Sequence, residues 1–405
     1  MKVLILTKKF NLTNTGGPMG YCYNIKSYLD EHPCEDIDFY PGSECYDSVP
    51  KITKESRSSL KGKLSFFLSK NKYTAFLTEL YRQYFKRVPL SIADKELLQK
   101  YDFVHVHWAY DVFQTFSNFN NGKTKVILTT HTPEPLFDEL VGRFGVHTLV
   151  KKLPFIRNYF LKREVKAYEN VELVLFPALE AKEPYINKSL YHKKIFEQIE
   201  NKTFYVPTAI NDMNVAPVNK HCLDAFKIPE DALKVCYVGR HNEVKGYDFL
   251  KNIAIKTWVS NPKVYFIIGG KEEPMKGLRD PRWIELGWVN TCELLNEIDV
   301  FILPNKETYF DIILLEVLRK WIPVLITRTG GNKWFEKKCV AGMLCFDYGN
   351  VDEGVEKLMD AFVAKNNDTE RTSKKQIFNF FVTELSMSRF IQNYIETLNK
   401  FIDVN

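Results

Sequence analysis

The sequence predicts an α/β protein built from two Rossmann-like domains, each with a parallel sheet covered by helices. At 405 residues the chain is too long for one ordinary hydrophobic core and suits two domains. Short apolar runs with strand character alternate with helical segments, which indicates parallel sheets covered on both faces. This alternation occurs in two series, so we expect two doubly wound domains.

Twelve apolar runs are predicted as strands, six in each series. Prolines and polar residues interrupt the pattern within 207–228, so the predicted domains are 1–210 and 211–385, followed by a helical segment in 386–405. The first series contains Lys2–Thr7, Ile37–Tyr40, Phe103–His107, Lys125–Thr130, Leu173–Phe176 and Thr203–Val206. The second series contains Lys234–Val238, Val264–Ile268, Ile284–Leu286, Val300–Leu303, Val324–Thr327 and Gly342–Phe346.

The composition is that of a globular protein, with 45% hydrophobic and 26% charged residues. No apolar run approaches the roughly 18 residues of a membrane-spanning helix. Met1–Thr7 is too short for the apolar region of a signal peptide and is better explained as a buried strand. The eight cysteines form no CxxC pair, which favours free thiols in a reducing cytoplasm over a structural zinc site. We therefore expect a cytoplasmic protein.

Positive charge is concentrated in the first half of the chain. Residues Lys51–Lys100 contain twelve Lys and Arg against four Asp and Glu, interleaved with large apolar side chains, and Lys151–Lys166 has a similar pattern. Such segments either form amphipathic helices that pack on their own domain or contact an anionic membrane at its inner face, and both interpretations stay open. Nucleic acid is not expected as a partner, because no reader motif accompanies the charge.

Two features follow strands of the first series, where ligands bind in open α/β sheets. The glycine-rich segment Gly16–Gly20 precedes a predicted helix, so Gly17 could bring backbone amides close to an anion, although a plain loop fits as well. His131 ends a strand among turn-forming residues, which favours a site role. His105 and His107 share one face of a strand, where buried structural histidines are the favoured interpretation.

The segment Gly239–Gly246 follows the first strand of the second series. Its Arg240 and Lys245 offer a planar guanidinium fork and a compact ammonium charge on a loop bounded by glycines. We predict a phosphate clamp, and the alternative is a solvated basic loop.

A third segment, Pro304–Glu316, runs from a strand end into an apolar helix at Ile312–Leu318. Glu316 lies among apolar neighbours and needs a partner, because burying a lone carboxylate is costly. That partner is either a set of ligand hydroxyls or an internal salt bridge with Arg319 or Lys320. The start of the helix, near Asp311, could hold a phosphate through the helix dipole.

These motifs resemble the retaining glycosyltransferases of family 4, which have the GT-B fold. The resemblance rests on GRxxxxKG, on Leu286–Val289, on the Pro304–Glu316 segment and on the Thr329–Asn332 loop, in matching order and spacing over Val235–Gly331. It implies two facing Rossmann-like domains with an interdomain cleft, an acceptor held mainly by the first domain and a nucleotide-sugar held mainly by the second. It also implies that the terminal helix in 386–405 returns to the first domain.

The resemblance assigns roles to individual residues. The catalytic group comprises Arg240, Lys245, His131 and Glu307. The donor-binding group comprises Gly17, Gly239, Trp288, Val289, Thr308, Phe310, Asp311, Ile312, Glu316, Gly330 and Gly331. The acceptor-binding group comprises His107, Trp108 and Glu134.

The sequence departs from the family pattern at three places. The EX7E spacing counted back from Glu316 reaches Thr308, while the nearest acid is Glu307, so either the loop shifts by one residue or that contact is absent. Asp311 stands where the family usually has Gly after the Phe. Trp321 occupies the region where a Gly usually precedes the next strand.

The sequence thus predicts transfer of a sugar, with retention, from a UDP-sugar or a GDP-sugar to a glycan, a lipid-linked or another acceptor. No metal or other cofactor is expected, because the one DxD sequence, Asp36–Asp38, is close to chance in a chain of this length. Two alternatives remain: a non-catalytic GT-B-like subunit that binds a glycan or a partner, and a nucleotide-sugar epimerase. A nicotinamide dehydrogenase is disfavoured, because no GxGxxG precedes a suitable acid.

Overall fold

The computed structural model describes residues 1–7, 12, 17–40, 71–87, 90–116, 123–211, 222–365, 367 and 369–404. The chain divides into two compact units, each with its own six-stranded sheet. The first unit comprises Met1–Phe176, Pro184–Val206 and Glu396–Asn405, and the second comprises Pro177–Glu183 and Pro207–Ile395. All strand pairs in both sheets are parallel, which confirms the predicted fold class.

All twelve predicted strands are present, and each strand end lies within one residue of its prediction. The first sheet contains β1 (Val3–Leu6), β2 (Ile37–Tyr40), β3 (Phe103–Val106), β4 (Lys125–Thr129), β5 (Leu173–Phe176) and β6 (Thr203–Tyr205). The second sheet contains β7 (Leu233–Val238), β8 (Val264–Gly269), β9 (Trp283–Gly287), β10 (Val300–Leu303), β11 (Val324–Thr327) and β12 (Met343–Phe346).

Helices connect the strands in both units. In the first half they are α1 (Gly17–Glu31), α2 (Lys72–Tyr84), α3 (Ile92–Leu98), α4 (Ala109–Asp111) with a π-helical turn at Val112–Phe116, α5 (Leu136–Phe144), α6 (His147–Lys152), α7 (Pro154–Glu169), a 3₁₀ turn at Leu179–Lys182, α8 (Glu183–Lys188), α9 (Leu190–Gln198) and a 3₁₀ turn at Glu200–Lys202. In the second half they are α10 (Tyr247–Ser260), α11 (Thr291–Leu294), α12 (Ile312–Arg319), α13 (Asn332–Glu336), α14 (Val351–Lys365), α15 (Thr369–Phe380), a π-helical turn at Phe381–Leu385 and α16 (Met387–Val404).

The order of the strands sets the place where each sheet can bind a ligand. The first sheet has the order β2-β1-β3-β4-β5-β6, so its direction of winding reverses between β1 and β3. The second has the order β12-β11-β10-β7-β8-β9, and its winding reverses between β7 and β10. Ligands of open α/β sheets bind beyond the carboxyl ends of the strands at such reversals. The loops after β7 and β10 are therefore the first candidates in the second unit.

Both faces of the second sheet are buried, as a parallel sheet requires. Val235 and Tyr237 on β7 and Ile302 on β10 lie within one apolar cluster that includes Phe249 and Leu250 of α10. Burying such side chains stabilises the fold by about 1.5–3 kcal/mol each. The central strands are thus rigid supports for the loops that leave their carboxyl ends.

The terminal helix α16 begins in the second unit and ends in the first. Residues from Glu396 onward belong to the first unit, where the ring of Phe401 lies 6.1 Å from Phe103 and 6.0 Å from Phe204. The units divide between Val206 and Pro207, four residues before the sequence-based boundary. None of the helices in the described ranges combines the length and the apolar character needed to cross a bilayer.

Candidate functional site

The loops after β7 and β10 meet at the winding reversal of the second sheet. Gly246 has φ of 64°, and a Cβ atom there would overlap the carbonyl of Pro304. The amides of Lys306 and Glu307 donate to the carbonyl of Val244 over 3.0 and 3.3 Å. Gly246 is therefore required both by its left-handed backbone and by the close approach of two chains. This contact brings the predicted phosphate clamp beside the predicted helix start.

Lys245 has an internal partner in this loop pair. Its ammonium group donates to both carboxylate oxygens of Asp311, over 2.7 and 2.8 Å. The Lys245 side chain is 15% exposed and that of Asp311 is 18% exposed. The sequence analysis did not anticipate this partner, which lies 66 residues later in the chain, and the role of Lys245 in a phosphate clamp stays a prediction.

Arg240 differs from Lys245 in its surroundings. Its backbone carbonyl is fixed by the buried hydroxyl of Tyr237, over 2.8 Å, while its side chain is exposed to solvent. Among the described residues, no hydrogen bond or ion pair engages its guanidinium group. Arg240 is thus anchored through its backbone and has a guanidinium group available to an anion from solution.

Glu316 lies on α12, half-buried, and the two internal partners considered for it are engaged elsewhere. Arg319 donates to the carbonyl of Asn211, and Lys320 donates to the side chain of Asn296, each over 2.8 Å. No hydrogen bond or ion pair to Glu316 occurs within the described part of the chain. Burial raises the pKa of the Glu316 carboxyl, and nearby Arg319 opposes this only in part. An unpaired carboxylate of this kind is suited to ligand hydroxyls.

Asn305 is a central residue of the site, and the sequence analysis gave it no role of its own. Its side chain is fully buried and donates to Thr308, over 3.0 Å, and to Asp311. Thr308, at the strict EX7E position, is also fully buried, and its hydroxyl accepts the hydrogen bond from Asn305 within the loop. Glu307, one residue earlier, is partly exposed. The signal available in the sequence was an asparagine two residues after the end of a predicted strand.

The glycine loop before α13 packs against the same segment. A Cβ atom at Gly331 would overlap the carbonyl of Tyr309, and Gly330 has φ of 45°. Phe310 is buried, with its ring 4.8 Å from Phe335, so its side chain belongs to the core. Ile312 begins α12 directly after Asp311. Packing thus explains why position 331 is a glycine and why the Phe310 side chain is apolar. A contact of this segment with a sugar nucleotide would have to come from its backbone groups.

Trp321 adopts the left-handed backbone that glycine favours. Its φ is 60°, and its ring lies 5.0 Å from Phe378. A non-glycine residue in this region costs roughly 1–2 kcal/mol. The chain therefore keeps the glycine-like turn despite the tryptophan, and the ring contact offsets part of the cost.

The predicted base-pocket residues lie after β9. Trp288 is 88% exposed, whereas Val289 is half-buried and contacts the backbone region of Gly269. The amide of Gly239 donates to Gly269 over 3.0 Å, which places the ends of β7 and β8 together. An exposed indole at a strand end is available for stacking on a planar ligand.

A second buried network lies beside the clamp loop and was missed by sequence reasoning. The ring of His241 stacks on Tyr247 with centroids 4.0 Å apart, and neither imidazole nitrogen has a hydrogen-bond partner among the described residues. A carboxylate oxygen of Glu285 lies 3.9 Å from its Nε2. Glu285 accepts from the hydroxyl of Tyr247 and, over 2.7 Å, from the indole of Trp283. Burial lowers the pKa of His241, so the stacked ring is favoured in its neutral form.

In the first unit, three histidines lie together at the carboxyl ends of β3 and β4, His105 on β3 itself and His107 and His131 beyond the strands. His107 Nδ1 lies 3.2 Å from His131 Nε2, and His105 Nε2 lies 2.8 Å from the hydroxyl of Thr129. The ring of Tyr21 on α1 packs against both His107 and His131, at 5.4 and 4.8 Å. Burial lowers the pKa of His131 well below its usual range and that of His107 to about 3, so both are neutral at physiological pH.

The predicted acceptor residues are not equally available. His107 is fully buried beside His131, in agreement with the interpretation of a buried structural histidine, and its contact with an acceptor stays a prediction. Trp108 is half-buried and stacks on Tyr110 at 5.8 Å. Glu134 forms a 2.8 Å ion pair with Lys188. Gly17, with φ of 60°, begins α1, whereas Gly16 and the rest of its loop lie outside the described residues.

The two parallel sheets, with polar loops at the winding reversal of the second, define a protein of the GT-B fold class. Residues 232–362 match the family model of the glycosyl transferases group 1. The matched range includes Arg240, Lys245, Asp311 and Glu316. This part of the second unit is thus similar to the group 1 glycosyl transferases, in agreement with the resemblance seen in the sequence.

Known proteins share the fold at low sequence identity. Sucrose-phosphate synthase from Thermosynechococcus elongatus has a TM-score of 0.60 at 13% identity over 100% of both chains. Anabaena HepE in complex with UDP has a TM-score of 0.55 at 14% identity, over 99% of this chain and 100% of HepE. TarM has a TM-score of 0.51 at 13% identity over 74% of this chain, which spans only 54% of TarM. An uncharacterized 41.2 kDa protein in the cps region of Klebsiella pneumoniae is 19% identical over 304 residues, 73% of this chain and 79% of the relative.

We expect Gly246→Ala to destabilise the second unit more than Gly287→Ala does. Both glycines have positive φ, 64° and 69°, but only Gly246 faces a backbone carbonyl. The added overlap should lower the unfolding free energy by about 1–3 kcal/mol beyond the shared backbone cost. Denaturant unfolding of both variants measures the difference, and equal losses would contradict the close-approach explanation.

We expect Glu316→Gln to raise stability at neutral pH. Because the folded-state pKa of Glu316 is raised, stability falls as pH rises from the usual glutamate pKa through the raised value, and the loss is fully present above both. The amide removes that ionisation, so the gain should appear at pH 7 and vanish at pH 4. Glu356→Gln, at a carboxylate that is 67% exposed, is the matched control and should show neither effect. A destabilised Glu316→Gln variant would mean that the carboxylate has an internal role.

Proposed function

We propose that the protein is a retaining glycosyltransferase that moves a sugar from a nucleoside-diphosphate sugar, with a UDP-sugar favoured, to a glycan or lipid-linked acceptor. One observation carries the proposal. At the winding reversal of the second sheet, Arg240 and Glu316 have no hydrogen bond or ion pair with any described residue. A guanidinium group fits a diphosphate and a carboxylate fits ribose hydroxyls. Both belong to the range that matches the group 1 family.

In this proposal the bond between the anomeric carbon and the leaving phosphate oxygen breaks while the acceptor oxygen bonds to the same face of that carbon. The acceptor proton passes to the leaving phosphate. Arg240 and Lys245 stabilise the charge that develops on the diphosphate. Removing one such hydrogen-bond donor typically lowers the rate by about 10²–10³-fold. In this proposal the two cations take the place of a metal ion in that task.

The remaining catalytic assignments rest on the family resemblance. Glu307 acts beside the transferred sugar from its partly exposed position. His131 of the first unit acts as a neutral hydrogen-bonding group, in agreement with its lowered pKa and its contact with His107. The donor assignment is supported by Anabaena HepE, which was solved in complex with UDP. A role in polysaccharide synthesis is supported by the cps-region name of the Klebsiella pneumoniae relative.

A thermal-shift series with UDP, GDP, ADP and their glucose derivatives tests the donor proposal. A ligand at a hundredfold excess over its dissociation constant should stabilise the protein by about 2.7 kcal/mol. Arg240→Ala should weaken binding of that ligand about 10- to 100-fold, because a hydrogen bond to a charged group contributes about 1.5–3 kcal/mol. Arg279→Ala, at an exposed arginine of the same unit, should leave the affinity unchanged.

The same proteins, incubated with the stabilising sugar nucleotide, are assayed for release of the nucleoside diphosphate. Release of the diphosphate together with a free or transferred sugar supports the transferase. Interconversion of sugars without release would instead favour the epimerase. A folded wild-type protein that binds none of these nucleotides would overturn the donor proposal and favour a non-catalytic subunit.

We also propose that the first unit docks on an anionic membrane surface, where lipid-linked acceptors are found. On α2, Leu77 and Tyr81 lie one turn apart and are 57% and 62% exposed. Phe155 and Tyr159 on α7 are 67% and 50% exposed. We call these residues, together with Tyr73 on α2 and Phe85 directly after that helix, the apolar ridge. Exposed aromatic and aliphatic side chains of this size mark interaction surfaces.

The charge around the apolar ridge favours a bilayer as the partner. Residues 72–87 contain four Lys and Arg against one acid, and residues 147–166 contain six against one. The guanidinium of Arg163 lies 5.6 Å from the ring of Phe85, which places a cation beside the ridge. Each cation near an anionic bilayer contributes about 1 kcal/mol of attraction. Residues 51–70 of the basic segment lie outside the described residues.

Sedimentation with vesicles of phosphatidylcholine and phosphatidylglycerol tests the docking surface. The double variant Leu77→Glu, Tyr81→Glu should weaken binding at least about tenfold, because it removes apolar contact and adds repulsion. Val259→Glu, at a position that is 86% exposed on the second unit, is the matched control and should bind normally. Equal binding by both variants would overturn the proposal that the apolar ridge docks on an anionic membrane. Binding to vesicles that lack the anionic lipid would overturn it as well.

A further inference from the structure

The Lys245–Asp311 ion pair has a consequence for any diphosphate that binds beside it. Both side chains are mostly shielded from water, so their mutual attraction is screened less than that of a surface pair. A carboxylate in this place neutralises the ammonium group and repels an approaching phosphate. The clamp is therefore weaker as an anion site than its two cations alone would make it.

The carboxylate of Asp311 is fixed in this position. The fully buried side-chain amide of Asn305 donates to it from one side, and Lys245 holds it from the other. Lys245 is itself placed by its own amide, which donates to the side chain of Asn242 over 3.0 Å. Because the Asn305 amide and the Lys245 ammonium group both donate to Asp311, rotating Asp311 away would cost the amide one of its two hydrogen bonds and the ammonium group its ion pair. Asp311 is thus held beside the Lys245 ammonium group.

We propose that Asp311 tunes the clamp for release of the product. The inference rests on the proposed function, in which a sugar nucleotide binds and a free nucleoside diphosphate leaves. The free diphosphate carries more negative charge than the sugar nucleotide, because its terminal phosphate ionises near neutral pH. A fixed carboxylate therefore weakens binding of the free diphosphate more than binding of the sugar nucleotide. Asp311 is in this sense a residue that sets the preference for donor over product.

The test compares two affinities in one protein. Isothermal titration measures binding of whichever of UDP, GDP and ADP the wild-type protein prefers, and of the same nucleotide carrying glucose. Asp311→Asn should increase the affinity for the free diphosphate about tenfold, which is the size of one partly screened charge interaction. The affinity for the sugar nucleotide should increase by clearly less. The ratio of the two dissociation constants should shift toward the product, and product inhibition should become stronger.

Glu243→Gln is the matched control. Glu243 lies on the same loop, is 69% exposed and pairs with Lys306, so its removal changes the net charge equally without touching Lys245. Asp311→Gly is the second variant and should shift the ratio in the same direction, which separates the effect of charge from that of the new amide. Circular dichroism and melting curves verify that each variant is folded.

Two results would overturn the inference. If Asp311→Asn binds both ligands more weakly, Asp311 orients Lys245 or contacts the donor. If the ratio is unchanged, or changes equally in Glu243→Gln, the carboxylate does not discriminate between donor and product. Failure of the wild-type protein to bind any of the nucleotides would instead reject the proposed function, so the two failures are distinct.

Discussion

The candidate site depends on one backbone contact, the close approach of Gly246 to the carbonyl of Pro304. Because no side chain fits between them, the loops after β7 and β10 lie directly against each other. The amides of the β10 loop donate to the carbonyl of Val244 in the β7 loop. This contact places Lys245 beside Asp311 and holds α12, with Glu316, next to the clamp. A bulkier residue at position 246 would separate the two halves of the site.

The charges of this site are only partly satisfied within the described chain. Lys245 and Asp311 neutralise each other, whereas Arg240 and Glu316 form no hydrogen bond or ion pair there. An unpaired half-buried carboxylate destabilises a fold, and the raised pKa of Glu316 is the signature of that cost. Such a cost is retained where binding of a ligand offsets it. The distribution of paired and unpaired charge therefore distinguishes groups that shape the loop from groups available to a ligand.

Much of the fold could be predicted from the sequence, because strands of a buried parallel sheet are short apolar runs that are visible locally. Each of the twelve strands lies where its run predicts, and α12 begins at Ile312 as expected. The motifs were also found, because Gly239, Arg240 and Lys245 are close along the chain. The partners of these residues could not be predicted. Asn305 was overlooked because its role depends on Asp311 and Thr308, and the contact of His107 with His131 was not foreseen because the two residues follow different strands.

The sequence by itself determined the class of the protein, the two series of strands and the residues at their carboxyl ends. Local periodicity and spacing carry that information, since a strand or a loop motif spans only a few residues. Only the tertiary structure determined which charges are paired: Asp311 reaches Lys245 across 66 residues, and His131 reaches His107 across 24. Electrostatic pairing follows distance in space, and the winding order of the sheet sets that distance. The function of each charged side chain therefore depends on the fold that surrounds it.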